Sequence, residues 1–268
     1  MGSQWTHRRI PLSWGRMSAY VAGEGRPLLL LHGLGGSGRY WAGAARLLAA
    51  RHRLIAPDLA GFGFSDKPDV EYSSDFHVRS LVDLLGALGV GETAVAGHSM
   101  GGVLAAVLAR RRPRTVASLA LVATPFPRRQ ERPYGVPDSG VRRFAYRGAQ
   151  RVLPLLSPLV RSATFPREVV ADYLRHTVAS YQRTSRALIW DPALAAELEG
   201  LDSVLDGRPQ LLLFSAEDRT IRPDSLTSWR GVLPRAHVET VSGGHQLLLR
   251  DHFASLAHWY GARVPAGA

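Results

Sequence analysis

Short apolar runs recur along the first half of the chain, and segments with helical spacing separate them. The apolar runs are residues 27–31, 53–58, 92–97 and 116–122. The helical segments are residues 40–50, 74–88 and 101–111. Continuous apolar runs of this length are typical of strands that are buried on both faces of a sheet. Strands that alternate with helices predict βαβ units and a parallel sheet, so the predicted fold class is α/β.

The same pattern appears at both ends of the chain. Residues 10–22 predict two short strands of a hairpin, and residues 210–214 and 238–241 predict two more strands late in the sequence. Residues 251–260 predict a closing helix. The predicted sheet is therefore mostly parallel and flanked by helices.

Residues 125–205 interrupt this alternation. They show helical patterns, clearest at 141–152 and 167–181, and no convincing buried strand. We predict one core, formed by residues 1–124 and 206–268 and interrupted by a helical insertion after the fourth parallel strand.

Composition excludes several classes of function. The chain has no cysteine, which excludes disulfides, thiolate metal sites and cysteine nucleophiles. The formal net charge is +11, but Lys67 is the only lysine among 33 basic residues. This skew indicates arginine-rich coding rather than a binding site. Because no nucleic-acid motif accompanies the arginines, we expect no nucleic-acid partner.

The sequence does not predict export or membrane insertion. Residues 1–17 lack the apolar region of a secretory signal, and the leucine run at 28–31 is too short to cross a bilayer. We therefore expect a cytoplasmic protein without stable membrane insertion. The oligomeric state stays open.

A candidate nucleophile follows the third parallel strand. Residues 97–101, Gly-His-Ser-Met-Gly, fit the G-x-S-x-G pattern and stand where a buried strand passes into a helix. The glycines let strand and helix approach closely around a sharp turn that exposes the serine. The pattern predicts Ser99 as the nucleophile and His98 as a residue that points away from it.

A glycine-rich loop follows the first parallel strand and supplies a candidate oxyanion hole. This loop, the oxyanion loop, comprises residues 32–36, His-Gly-Leu-Gly-Gly. Acyl transfer needs two backbone N–H donors directed at the developing oxyanion. We predict that Leu34 and Met100 supply them and that His32 braces the loop by hydrogen bonding.

The general base must be a histidine that an acid holds in place. His245 follows the last predicted strand on a Gly-Gly loop, and His252 in the final helix is the rival. The turn after the strand at 210–214 offers two acids, Glu217 and Asp218, with a third, Asp224, further along. For Glu217 a solvated turn position is the preferred interpretation.

These motifs, in this order, resemble the α/β-hydrolase fold superfamily, in the branch of capped esterases, lipases and related serine hydrolases. The resemblance is carried by residues 32–35, 58–68, 97–102, 217–218 and 244–245. It implies that Asp218 is the acid of a Ser-His-Asp triad and that residues 58–65 shape the floor of the pocket. A serine at 99 argues against the haloalkane dehalogenase and epoxide hydrolase relatives, which use aspartate there.

The resemblance also implies that residues 125–205 form a cap over the site. Lids of this kind exclude water and select substrates. The predicted substrate-binding residues are two in the oxyanion loop and three in the cap: His32, Gly33, Phe126, Phe144 and Trp190. Tyr173 is a further candidate for the pocket wall.

The sequence therefore predicts a serine hydrolase that cleaves the carboxylic ester of a small acyl substrate, without cofactor or metal. The same triad is compatible with C–C bond hydrolysis of dienoic ring-fission products, with thioester or lactone hydrolysis, and with cofactor-free perhydrolysis. A ligand-binding protein that keeps the fold without useful turnover is the alternative from another class.

Overall fold

A computed structural model describes residues 5–128, 148, 171–173, 175–246 and 253–263. Eight strands of these residues form one sheet. The strands are β1 (Thr6–Leu12), β2 (Gly15–Ala22), β3 (Arg26–Leu31), β4 (His52–Pro57), β5 (Thr93–His98), β6 (Val116–Val122), β7 (Gln210–Ser215) and β8 (His237–Val241). Every strand predicted from the sequence is present in the sheet.

The strand order is β1-β2-β4-β3-β5-β6-β7-β8. β1 and β2 pair antiparallel, as do β2 and β4, whereas all the pairs from β4 to β8 are parallel. The apolar run predicts this burial correctly, because Leu28, Leu29, Leu30 and Leu31 of β3 are 0% exposed in the middle of the sheet. The predicted mostly parallel α/β fold is confirmed.

Helices cover both faces of the sheet, so that two apolar clusters form, one on each side. The α-helices of the described residues are α1 (Ala44–Leu48), α2 (Ser74–Ala87), α3 (Met100–Arg111), α4 (Val178–Leu188), α5 (Pro192–Glu197), α6 (Leu201–Leu205), α7 (Ser225–Val232) and α8 (Phe253–Arg263). Within the described ranges, none of the helices is long and apolar enough to span a membrane.

Two predicted helices are broken in the structure. The segment predicted as one helix over 40–50 is a 3-10 turn at Gly38–Trp41 followed by α1. The helix predicted over 167–181 stops before Thr177, which caps α4 through a reciprocal pair of hydrogen bonds with Ser180. The helices α6 and α7 are absent from the sequence predictions.

The described part of the insertion is closely attached to the core. Helices α4 and α6 pack on α3, and Leu188, Leu198 and Leu205 belong to the same apolar cluster as α3. Arg111 of α3 also pairs with Glu197 through two N–H···O contacts of 2.7 and 2.8 Å. The division into core and cap stays a prediction.

Candidate active site

Ser99 lies on a sharp turn between β5 and α3. Its backbone takes φ 54° and ψ −123°, a positive φ that residues with side chains rarely adopt. Its N–H donates to the carbonyl oxygen of Val122 at 2.9 Å. A Cβ at Gly97 would lie 2.2 Å from the carbonyl oxygen of Gly101, and one at Gly101 would lie 2.4 Å from that of Leu31. The two glycines therefore permit the close approach that the turn requires.

Ser99, His245 and Asp218 form one chain of hydrogen bonds. His245 Nε2 lies 2.9 Å from Ser99 Oγ, and His245 Nδ1 lies 2.7 Å from Asp218 Oδ2. Because a carboxylate only accepts, Nδ1 carries the ring proton and Nε2 accepts from the serine hydroxyl. This is the arrangement in which a histidine can remove the proton of a serine.

Asp218 is held as an ionised carboxylate. Its Oδ1 accepts the N–H of Thr220 at 2.8 Å and that of Ile221 at 3.2 Å. Burial alone would raise the pKa of Asp218, but the hydrogen bond and charge of His245, together with these two amides, lower that pKa below its ordinary value. Asp218 is thus suited to stabilise a positive charge on His245.

The loop after β3 is braced by His32. His32 Nδ1 donates to the carbonyl oxygen of Gly33 at 2.7 Å, and Nε2 accepts the N–H of Leu59 at 2.9 Å. Burial lowers the pKa of His32 to about 4, which keeps the ring neutral, as one donor and one acceptor require. The side chain is fully buried, so the contact that His32 makes is with its own loop, and its predicted role in substrate binding stays a prediction.

The two predicted oxyanion donors each follow a residue of the turn region around Ser99. Leu34 follows Gly33, and a Cβ at Gly33 would lie only 3.2 Å from Ser99 Cβ. Met100 is the first residue of α3 and follows Ser99 directly. Among the residues that the structure describes, neither the Leu34 nor the Met100 N–H donates to a protein acceptor. A role of these two amides in an oxyanion hole stays a prediction.

The prediction that His98 points away from the nucleophile is incomplete, because its ring lies beside His245. His98 Nε2 lies 2.9 Å from the backbone oxygen of His245, and the two ring centroids are 4.9 Å apart. The contact joins residues 147 positions apart, so no local sequence pattern predicts it. The rival base, His252, lies outside the described residues.

Asp172 attaches the predicted cap to the oxyanion loop. Its carboxylate is completely buried and accepts from Ser37 Oγ at 2.7 Å and from Arg39 Nε and Nη2, each at 2.6 Å. Arg175 Nε lies 3.3 Å away. Ser37 and Arg39 come within three positions of residue 36, so this cluster, the Asp172 cluster, connects Asp172 and Arg175 to the loop that carries Leu34.

The predicted substrate-binding aromatic residues have separate positions. Phe126 packs against the buried ring of Trp229, with centroids 5.1 Å apart, and Trp190 is partly buried on the core cluster. Phe144 lies outside the described residues. Tyr173 is 48% exposed, and its Cε2 would lie 2.9 Å from a Cβ at Gly35. Tyr173 therefore lies directly against the oxyanion loop, and a substrate-binding role stays a prediction for all four residues.

A strained serine at the carboxyl edge of a mostly parallel sheet, facing a histidine and a carboxylate that follow later strands, defines an α/β protein of the hydrolase class. A family model described as the alpha/beta hydrolase fold matches residues 26–251. The protein belongs to the α/β-hydrolase fold family, which confirms the resemblance to this superfamily inferred from the sequence; the branch of capped esterases and lipases stays a prediction.

Relatives within this family differ in their reactions. The chain is 28% identical to an uncharacterised protein of Mycobacterium tuberculosis (91% of this chain, 68% of the relative). It is 28% identical to lipase 1 of Psychrobacter immobilis (81% and 69%). Identity is 37% with the 2-hydroxymuconate semialdehyde hydrolase of Pseudomonas sp. strain CF600, but over only 44% of this chain and 43% of that enzyme.

The solved structures agree on the fold. The structure of an epoxide hydrolase superimposes with a TM-score of 0.76 at 21% identity, covering 97% of this chain and 99% of the other. At this identity the likeness shows the fold alone.

Proposed function

We propose that this protein is a serine hydrolase that cleaves a carboxylic ester of a small acyl substrate through an acyl-enzyme intermediate. The observation that carries the proposal is the hydrogen-bonded chain from Ser99 through His245 to Asp218. It joins a nucleophile to a base and the base to an orienting acid, as nucleophilic catalysis requires. The proposed reaction needs neither metal nor cofactor.

The chemistry follows from the positions of the protons. Ser99 Oγ attacks the ester carbonyl carbon while its proton passes to His245 Nε2. The tetrahedral intermediate collapses, the C–O bond to the alcohol breaks, and the alcohol leaves with the proton from His245. Water then attacks the acyl-serine with the same histidine as base, which releases the acid and restores Ser99. Asp218 stabilises the charged histidine in both halves.

The oxyanion of each tetrahedral intermediate is assigned to the N–H groups of Leu34 and Met100. Their position beside Ser99 supports this assignment, because both belong to elements that contact the turn. A donor of this kind contributes about 3 kcal/mol to stabilisation of the transition state.

C–C bond hydrolysis is the second candidate. It is favoured by the 37% identity to a 2-hydroxymuconate semialdehyde hydrolase, although that match spans less than half of either chain. The 28% identity to a lipase covers 81% of this chain, and this longer match supports the ester as the first choice.

The test compares the wild type with Ser99→Ala and with Ser203→Ala, an exposed serine on α6. A fluorophosphonate probe should form one adduct on the wild type and on Ser203→Ala, at Ser99, and none on Ser99→Ala. Turnover of a graded series of acyl esters should fall by about 10⁴- to 10⁶-fold in Ser99→Ala.

Four results would change the proposal. A folded wild type with neither an adduct nor turnover excludes a serine hydrolase and favours a ligand-binding protein. Wild-type turnover in Ser99→Ala excludes Ser99 as the nucleophile. Turnover confined to a dienoic C–C substrate, tested in the same series, replaces the ester by the second candidate. Turnover confined to a thioester or lactone changes the leaving group and keeps the triad.

A further inference from the structure

We propose that His98 is a positioning residue that fixes the backbone of the general base, an inference that rests on the proposed function because it concerns the same site. His98 Nε2 lies 2.9 Å from the backbone oxygen of His245, and Ser99 Oγ lies 2.9 Å from the ring of His245. Two consecutive residues of one rigid turn therefore hold His245 at two points, one on its backbone and one on its side chain.

The direction of the hydrogen bond follows from its partners. A carbonyl oxygen only accepts, so His98 Nε2 must carry the ring proton. The pKa of His98 is lowered to about 3, chiefly by burial and then by the charge of His245, although the hydrogen bond to the His245 backbone and the charge of Asp218 act in the opposite sense. A neutral ring donates to the loop of His245 without placing a positive charge beside a histidine that becomes charged during the reaction.

The donor is itself rigidly placed. His98 is 2% exposed at the end of β5, and the ring of Tyr40 stacks on it with centroids 4.6 Å apart and an interplanar angle of 20°. On another side, a Cβ at Gly33 would lie 3.1 Å from His98 Nδ1. The ring therefore has little room to move, and its N–H keeps a fixed direction.

The loop that receives this bond is intrinsically adaptable. Residues 242–244 are Ser-Gly-Gly, and Gly243 has φ 98°. Ser215 Oγ and the carboxylate of Glu217 anchor the loop at Gly243. A glycine-rich backbone can adopt many conformations when nothing fixes it. The hydrogen bond from His98 to the backbone oxygen of His245 therefore helps to determine where the imidazole points.

The consequence is specific to chemistry. A shift of the His245 backbone misaligns its Nε2 with Ser99 Oγ without altering surfaces that bind the substrate. Misplacements of about 1 Å at a reacting group can cost about 10²-fold in rate. We therefore expect loss of the His98 donor to lower kcat and to leave KM unchanged.

Substitutions at position 98 separate the hydrogen bond from packing. His98→Gln keeps an amide donor close to the place of Nε2, whereas His98→Met has similar length and no donor. His98→Asn keeps polarity but its shorter amide reaches only the place of Nδ1. All three lose the aromatic stack on Tyr40, so differences among them report the donor.

The control is His52→Met. His52 is another buried histidine, 2% exposed, and its ring contacts Tyr260 rather than the triad. We expect it to lower thermal stability with little effect on chemistry. His98→Met and His98→Asn should lower both kcat and the rate of fluorophosphonate labelling about tenfold, and His98→Gln should regain most of both.

A measurement without substrate keeps this inference distinct from the proposed function. The Nδ1 proton of His245, hydrogen-bonded to Asp218, should give a strongly downfield NMR signal in the wild type and in His98→Gln, and a broadened one in His98→Met and His98→Asn. If the wild type does not label but shows this pattern of signals, the hydrolase proposal fails and the role of His98 stands. If His98→Met keeps the signal and labels at the wild-type rate, the role of His98 is wrong whatever the substrate.

Discussion

Two neighbouring carboxylates show how environment separates residues that look alike in the sequence. The side chain of Asp218 is 2% exposed and accepts from His245 and from two backbone amides. Glu217 is exposed, and among the described residues its carboxylate accepts one N–H, that of Gly243, at 3.2 Å. The sequence alone does not decide which of the two is the acid of the triad, because adjacent residues of a turn differ mainly in where their side chains point. The choice of Asp218 came from resemblance to a family, and the fold supplies its physical reason.

Substitution of these two acids should have unequal effects. Asp218→Asn keeps the shape but weakens the hold on the protonated Nδ1 of His245, so we expect kcat to fall about 10³- to 10⁴-fold. Glu217→Gln keeps an acceptor for Gly243 and should retain nearly the wild-type rate. Steady-state kinetics on the best ester checks both. If kcat falls more in Glu217→Gln than in Asp218→Asn, the assignment of Asp218 as the acid of the triad is wrong.

Gly33 matters because of space rather than backbone conformation. Its φ is not positive, but an added Cβ would lie 3.1 Å from His98 Nδ1 and 3.2 Å from Ser99 Cβ. Gly33→Ala should therefore displace the oxyanion loop by a few tenths of an ångström and lower kcat about tenfold. Gly91→Ala is the matched control, because nothing lies within 4 Å of its Cβ. Equal labelling rates for the two variants would contradict this prediction.

At the scale of elements, the sequence predicts strands better than helices. The strands β3 to β7 are predicted by continuous apolar runs, because a strand that is buried on both faces has apolar residues at consecutive positions. The helix predicted over 40–50 fails because Ser37 caps a 3-10 turn at Gly38–Trp41, whose Tyr40 and Trp41 are buried regardless of helical period. The break before α4 follows from the cap at Thr177, a signal that helical periodicity overlooks.

The Asp172 cluster provides a test of coupling between elements. Asp172→Asn removes the charge that Arg39 and Ser37 contact. Breaking a buried ion pair costs 3–5 kcal/mol, but Arg39 is 29% exposed, so we expect a loss of about 2–3 kcal/mol in the free energy of unfolding. The variant should also lose activity, because Ser37 and Arg39 follow the oxyanion loop.

The control for this substitution is Asp69→Asn. Asp69 pairs with Arg183 at 2.8 Å, but its side chain is 91% exposed. Exposed pairs contribute about 0–1 kcal/mol, so its urea-denaturation curve should almost coincide with that of the wild type. An Asp172→Asn variant as stable and active as Asp69→Asn would show that the cluster does not hold the loop.

At the scale of the whole molecule, the core contains several histidines that folding keeps neutral. Burial lowers the pKa of His32 and His176 to about 4, and that of His77 and His98 to about 3. Asp58 acts in the opposite sense, because burial raises its pKa to about 6. Burial also lowers the pKa of His52. Acid therefore weakens the contribution of five buried histidines and strengthens that of one carboxyl group, so the stability of the fold should fall in acid.

The direction of this sensitivity follows from proton linkage. In the unfolded chain each histidine has its ordinary pKa of 6.5. Below pH 6.5 the unfolded state therefore binds more protons than the folded state. The contribution of the buried histidines to the free energy of unfolding is complete above pH 6.5 and is lost as the pH falls toward 4, by up to about 1.4 kcal/mol per pH unit for each histidine.

Urea denaturation between pH 7.5 and 5 should show this decline in the free energy of unfolding. His77→Gln should reduce by about one the number of protons that the chain takes up when it unfolds at pH 5. A free energy of unfolding that stays constant between pH 6.5 and 5 would contradict burial of these rings as neutral groups.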